Sequence, residues 1–531
     1  MSEHDLPNRN QHDDEALVQS PPTTVLGILQ RLGPGLIVAA SIVGSGELIA
    51  TTAVGAEAGF WLLWLILIGC VIKVFVQVEI GRYTISNGRT ALDGLTVVPG
   101  PRMGKTNWLL WCWLVMFLTS IGQLGGIVGG VGQALAISMP ITSAGKQYNE
   151  AVDAKIKMRI ELQQLLHADK GSEADEDRAA RIAELQTEIA AVEEGDALKQ
   201  LEDQALDPYL WAGIVAIATS VLLVVGRYAL VQNFSTALVA GFTLITIVNL
   251  FYLQGNAAWA IRPSEIWEGM SFRLPPRREG VFPLATALAA FGIIGVGATE
   301  LVYYPYWCLE KGYARFVGPR DESPEWAERA AGWLRVMRWD AWCSMVIYTF
   351  STIAFYLLGA AILGRMDLVP AGSEMIRTLS AMYEPVFGRS AEVLFLFGAF
   401  AVLYSTYFVS NASKARVFSD ALLLFGVRGE GEDVHRRWVR ALCGIMPLLC
   451  FSIFVLLPEP KRLILIAGVA QSIMLPMISF AAIYFRYRHS DARLAPGKLW
   501  DLMLWVSALG MLVAGGWTAL TKLFPALQQL G

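Results

Sequence analysis

Apolar stretches of membrane-crossing length recur along this chain, and that pattern excludes most folds. A helix needs about 20 apolar residues to cross a hydrocarbon layer, where every backbone amide and carbonyl must be paired inside the protein. Eleven such stretches are read, over residues 33–57, 60–80, 107–138, 209–226, 233–254, 282–309, 340–363, 390–410, 441–457, 463–485 and 499–521. Composition agrees, with 54% of the 531 residues hydrophobic. The expected fold is an all-α polytopic membrane protein with 11 transmembrane helices. Its expected organisation is a disordered cytoplasmic N-terminus (1–30), helices 1–3 (31–142), an acidic extracytoplasmic helical hairpin (143–208), helices 4–11 (209–523) and a C-terminal tail (524–531). The polar, acidic first 30 residues lack a basic segment leading into a short apolar core, so no cleavable signal peptide is expected.

Orientation follows from the loops. With the N-terminus in the cytoplasm and the 143–208 insertion left out, 23 Lys and Arg fall inside and 10 outside, including six inside from Lys311 to Arg338 and six from Lys414 to Arg440. That asymmetry supports an N-terminus inside and a C-terminus outside; the expected location is a cell inner (plasma) membrane. Net charge is only −4 and the basic residues are scattered, so nothing points to a nucleic-acid partner.

The insertion carries 16 acidic against 8 basic residues between Ser143 and Asp207. Val152, Ile156, Gln163 and Leu166 form one helical stripe and Ile182, Leu185, Ile189 and Val192 a second, separated by Gly171-Ser172, which predicts an antiparallel helical hairpin. It reads either as a solvated appendage or as a docking surface for a partner. Six cysteines (Cys70, Cys112, Cys308, Cys343, Cys443, Cys450) lie in or beside apolar stretches without metal-finger spacing and read as small buried hydrophobes. None of the five histidines falls inside a stretch, and no nucleophile with a plausible base is found in any of them, so neither an enzyme nor a cofactor is expected.

One element marks a site. Val-Gly-Ser-Gly-Glu-Leu (Val43–Leu48) is echoed by Val-Gly-Ala-Thr-Glu-Leu (Val296–Leu301), each mid-way along an apolar stretch. Glycines weaken a helix and a carboxylate in hydrocarbon is costly. Paired interruptions of this kind point to a substrate site between two broken membrane helices, 1 and 6. The expected binding residues at the two breaks are Gly44, Ser45, Gly46, Glu47, Gly297, Ala298, Thr299 and Glu300. At the breaks, half-helix carbonyl ends attract cations, and Glu47 and Glu300 together present two negative charges to one ligand. Gln77, Gln123 and Asn249 read as interhelical glue, and Lys73 has no assignable partner.

Gly33-Pro34-Gly35 followed by Gly44-Ser45-Gly46-Glu47, the run QVEIGRYTISNGRTALD from Gln77 to Asp93, and Gly292-Ile293-Ile294-Gly295 resemble the NRAMP divalent-metal transporters. That resemblance implies a LeuT-like 5+5 inverted repeat and alternating access, and, because the tenth stretch lines the substrate path in resembling transporters, it adds Gln471 to the expected binding residues. Family members carry Asp-Pro-Gly-Asn where this chain has Gly44-Ser45-Gly46-Glu47, and Met-Pro-His near Thr299-Glu300-Leu301. Gln123 and Gly126 stand where members place acidic residues linked to proton movement.

Loss of the thioether and histidine, with gain of carboxylates and hydroxyls, favours a hard divalent cation (Mg²⁺, Mn²⁺ or Ca²⁺). The expected metal ligands are Glu47, Glu300, Thr299 and Gly44. An organic cation or amino acid is the alternative cargo, because Tyr303, Tyr304, Tyr306 and Trp307 follow Glu300 and aromatic faces attract ammonium groups. A non-transporting sensor on the same fold is a third reading. For a divalent ion, the membrane potential alone suffices for accumulation, at about 2.3 kcal/mol per charge per 100 mV.

Overall fold

The computed structural model describes residues 18–167, 174–194, 196–226, 228–256, 258–276 and 282–524. Among the described residues nine helices are long and apolar enough to cross a membrane. The first is interrupted: α1 (Pro34–Ile42) ends at Val43-Gly44, a wide π turn covers Ser45–Thr51, and α2 (Thr52–Ala58) completes it. Next come α3 (Leu63–Asn87), which stops at Gly88 in the left-handed region (φ 64°), and α4 (Trp108–Ser138), started by the Asn107 side chain accepting from Leu110 N at 3.2 Å. The insertion forms α5 (Ser143–His167) and α6 (Ala174–Glu194); the expected turn at Gly171-Ser172 lies outside the described residues. Beyond it run α7 (Asp207–Val225) and α8 (Tyr228–Leu253).

The second interruption divides α9 (Pro283–Phe291) from α10 (Ala298–Lys311), which continues through Pro305. The remaining membrane helices are α11 (Pro324–Leu358), α12 (Ala391–Leu424), α13 (Glu432–Leu456), α14 (Pro460–Arg488) and α15 (Lys498–Leu523). Of the eleven expected stretches, 233–254 falls on the single 26-residue helix α8, and 282–309 on the α9/α10 pair, which is not one continuous helix.

Small residues let the broken helices sit deep. A Cβ on Gly292 would lie 2.1 Å from Gly468 O of α14, and one on Gly55 would lie 2.3 Å from Tyr356 O of α11. Only glycine permits backbones to approach this closely. As a result α1, α2, α9 and α10 are enclosed by α3, α4, α11, α12 and α14.

Three expectations change. Residues from 18 to 30 are ordered rather than disordered: Gln19 N donates to Phe316 O at 3.1 Å, Trp333 Nε1 donates to Gln19 O at 2.9 Å, and Val25–Arg31 is a helix capped by Thr24. The hairpin is not a free appendage, because α5 buries Val152, Ile156 and Ile160. Its Asp153 pairs with Arg377, its Lys155 with Glu374, and Tyr148 OH meets Ser373 Oγ at 2.7 Å, all on the connection between α11 and α12. Finally, α12 continues fourteen residues past the expected limit at 410, to Leu424, which brings Lys414 into the bundle instead of a loop.

Candidate functional site between the helix breaks

A small cavity lies where the two interruptions meet. Its walls are Ser41, Ile42, Ser45 and Gly46 from the first broken helix, Gln123, Leu124 and Ile127 from α4, Ile293 and Glu300 from the second, and Thr406, Ser410 and Lys414 from α12. The two breaks touch: a Cβ on Gly46 would sit 3.0 Å from Ile293 O.

A chain of hydrogen bonds crosses the bundle at this level. Gln123 Nε2 donates to Ser45 Oγ at 3.0 Å, and Gln471 Nε2 donates to Gln123 Oε1 at 2.8 Å. Gln471 Oε1 in turn receives Thr299 N at 3.3 Å. The single hydroxyl proton of Thr299 is shared between Gln471 Oε1 (3.0 Å) and Glu300 Oε2 (2.8 Å). Both interruptions are thus tied through α4 and α14. The Thr299 hydroxyl reaches the Glu300 carboxylate at Oε2.

Of the expected site residues, Ser45, Gly46 and Glu300 line the cavity, and Thr299 and Gln471 stand directly behind it. Gly44 packs on Thr406, whose Oγ1 would be 1.9 Å from an added Cβ, and Gly297 packs on Glu300 and Gln471. Ala298 is buried, donating its N–H to Gly292 O at 3.3 Å.

Glu47 does not line this cavity. It is fully buried, and its Oε1 accepts from Gly295 N at 3.2 Å and from Thr352 Oγ1 at 3.1 Å. It therefore fastens the backbone of the second break through Oε1, while its Oε2 is buried without a hydrogen-bond partner among the described residues. The reason is helical geometry: the π turn directs Glu47 to the α3 and α11 side while Ser45 and Gly46 face the cavity. Among the described residues no three His, Cys, Asp or Glu side chains gather as a metal-binding group.

The carbonyl end of α9 is also not free. Lys73 Nζ donates to Phe291 O and, at 2.7 Å, to Ile294 O, with the ammonium 4.6 Å from the Phe291 ring centre. Lys414, read as a loop residue, is buried at the cavity, with Nζ 3.4 Å from Tyr303 OH and 5.4 Å from the Tyr303 ring centre. Asp340 of α11 accepts Gly33 N at 2.9 Å and also takes Gly35 N, which caps the start of α1; nothing in the sequence pairs these positions. Asn249 ties α8 to the α11–α12 connection, donating to Met382 O at 3.1 Å, whereas both amide atoms of Gln77, also expected as interhelical glue, are buried without a hydrogen-bond partner among the described residues.

Two interrupted helices clasped inside a bundle, with a polar cavity between the interruptions, define a polytopic membrane protein of the five-plus-five broken-helix class. Comparison with known proteins places it more narrowly. The model of the family described as "Natural resistance-associated macrophage protein-like" (Nramp) matches residues 182–521, and the chain belongs to that family. A divalent metal cation transporter, MntH, from Caldanaerobacter subterraneus subsp. tengcongensis is 30% identical over 118 residues, 22% of this chain and 27% of that relative. A point mutant of the Eremococcus coleocola manganese transporter superposes with a TM-score of 0.57 at 14% identity, covering 95% of this chain and 89% of the other. The same transporter in complex with an aromatic bis-isothiourea substituted compound gives 0.56 at 14% identity, over 97% and 93%. At that identity the likeness speaks for the fold.

Proposed function

We propose that this protein is a secondary membrane transporter, not an enzyme, and that its cargo is a hard divalent cation (Mg²⁺, Mn²⁺ or Ca²⁺) bound between the two helix breaks. The observation that carries this reading is the donor set of the cavity. The carboxylate of Glu300 and the hydroxyls of Ser45, Thr406 and Ser410 offer oxygen but no thioether, thiolate or imidazole. Hard cations take such ligands, and Mg²⁺ keeps part of its water when so few carboxylates are present. Membership of the Nramp family and the metal-transporter names of the relatives agree with it. Glu300 is the principal ligand, with Ser45 and Thr299 around it; Glu47 and Gly44 shape the site from behind.

Neither Gln123 nor the backbone at Gly126 supplies a proton-carrying acid on the cavity side of α4. We assign uptake to the membrane potential, with the N-terminus cytoplasmic and the protein in the plasma membrane. Proteoliposomes loaded with a divalent-ion indicator test this. Collapsing the pH gradient is expected to leave influx intact and collapsing the potential to stop it; the converse would refute the assignment.

Lys414 favours a second reading, a small zwitterion with its ammonium towards Glu300 and its acid towards Lys414. Thermal melting of the purified protein separates the two. Stabilisation by Mg²⁺, Mn²⁺ or Ca²⁺ that is lost in Glu300→Gln supports the metal, since a ligand of the native state must stabilise it. Stabilisation by amino acids alone supports the zwitterion.

A further inference from the structure

We infer that Lys73 is a built-in cation for the second helix break, filling from within the chain the position at which the broken-helix architecture offers backbone carbonyls to an inorganic ion. A helix that stops inside a bundle leaves its last carbonyls without intrahelical partners, and those carbonyls carry the negative end of the helix dipole. In α9, the loop amides of Gly292, Ile293 and Ile294 return to Ala289 O and Ala290 O, which leaves Phe291 O and Ile294 O for another donor. Lys73 Nζ takes both, arriving from α3 with its side chain wholly buried and its ammonium beside the Phe291 ring.

The opposite polarity of the same segment is met in the same way. Gly295, at φ 57° with Cys70 Cα 3.2 Å from where its Cβ would be, directs its N–H to Glu47. An ammonium therefore holds the last carbonyl of α9 and one carbonyl of the interruption, and one oxygen of a carboxylate holds one of its amides. A compact point charge with three donors suits this task, and its long stem reaches the break from a neighbouring helix. Lys73 is a positioning residue: it touches the backbone that shapes the cavity, not the cargo.

The consequence for the carrier is that the second break needs no bound Na⁺ or K⁺ to keep its shape, so that no monovalent ion is coupled there. This consequence rests on the transporter reading; the filled carbonyl end does not.

Melting of the cargo-free, full-length protein is the test. Wild-type protein is expected to melt at the same temperature in NaCl, KCl and choline chloride of equal ionic strength. Lys73→Ala is expected to melt lower in choline and to recover as NaCl or ethylammonium chloride is added, the small cation entering the emptied position. A wild-type melting temperature that rises in Na⁺ or K⁺ relative to choline overturns the inference, as does a Lys73→Ala protein as stable as wild type and indifferent to added cations. Should Lys73→Ala not fold, Lys73→Met, which keeps the volume without the charge, replaces it, and the wild-type comparison needs no variant. Because no cargo is present, failure here is separate from failure of the metal reading, which the cargo melts decide.

Discussion

Glu300 and Lys414 line one cavity from two different helices without forming an ion pair: no carboxylate–ammonium contact within 4.0 Å joins them, and Lys414 Nζ lies instead beside Tyr303 OH at 3.4 Å. A buried carboxylate needs a countercharge, and the ammonium provides one without pairing with it directly. Lys414→Met discriminates between the cargo classes. A divalent ion at Glu300 is repelled by the ammonium, so the variant should bind it more tightly, on the order of tenfold, the scale set by removing one like charge at several ångströms in a polar surrounding. A zwitterion would instead lose its anchor and bind more weakly. Calorimetric titration of both cargo classes into wild type and variant reads the sign directly.

Glu47 and Glu300 occupy corresponding places in a repeated motif but face different surroundings, and their variants should differ in kind. Glu47→Gln keeps an acceptor for Gly295 N and Thr352 Oγ1, so cargo-induced stabilisation should survive. Glu47→Ala leaves the Gly295 amide without a partner in a dry interior, at a cost of about 1–3 kcal/mol. It should lower the melting temperature of the cargo-free protein. Glu300→Gln should do the reverse, melting near wild type while losing the response to cargo. Equal loss of cargo response in Glu47→Gln and Glu300→Gln would return Glu47 to the ligand set.

These residues show what the sequence could and could not disclose. Ser45, Thr299 and Glu300 stand out in the sequence because polar groups and glycines in hydrocarbon are costly and the cost is duplicated, whereas Gln471 stands out only through the family resemblance. The direction of Glu47 was not, because it depends on a π turn, and a seven-residue turn of that kind has no periodicity to read. Lys414 was misplaced because a lysine beyond an apolar run, followed by Arg416, reads as a cytoplasmic loop; α12 stays helical there because Ala412, Ala415 and Val417 are buried against neighbours. Lys73 had no readable partner, since its acceptors are backbone carbonyls freed by a break 218 residues away. Helix number was softer for the same reason: a glycine-rich stretch with the hydropathy of a span can fold as two short pieces.

The hairpin offers a test outside the membrane core. Its α5 is joined to the α11–α12 connection through Arg377–Asp153 and Lys155–Glu374, and Arg377 is largely withdrawn from water, with a side-chain exposure of 5%. Exposed pairs contribute roughly 0–1 kcal/mol, but removing one partner from a buried charge costs more. Asp153→Asn should therefore loosen the contact more than Lys155→Met. Hydrogen exchange should show faster exchange in Met375–Ser380 for Asp153→Asn, with the membrane helices unchanged; unchanged protection of that segment would mean that apolar contacts of Val152 and Ile156 hold the hairpin unaided.

Asp491, in the loop after α14, provides the pH-dependent prediction. Its carboxylate accepts from Arg493 N at 2.9 Å and Arg493 Nη2 at 2.9 Å and pairs with Arg320 at 2.9 Å. The hydrogen bonds from Arg493, with the charge of Arg320 adding to them, hold its pKa down at about 2. Arg493 also reaches Ser323 O at 3.0 Å and Asp321 O at 2.8 Å, so the cluster fastens this loop to the start of α11. In the unfolded chain the carboxylate titrates near its ordinary value of about 3.9. Because the folded pKa is the lower one, the stabilisation is fully present above about pH 4 and is lost as pH falls through about 2. Wild type should therefore melt above Asp491→Asn by a constant margin from pH 8 to about pH 5, and the margin should close between about pH 4 and pH 2. Melting curves of both proteins across that range check the sign; a margin that widens on acidification would show that the cluster is not held by the ionised carboxylate.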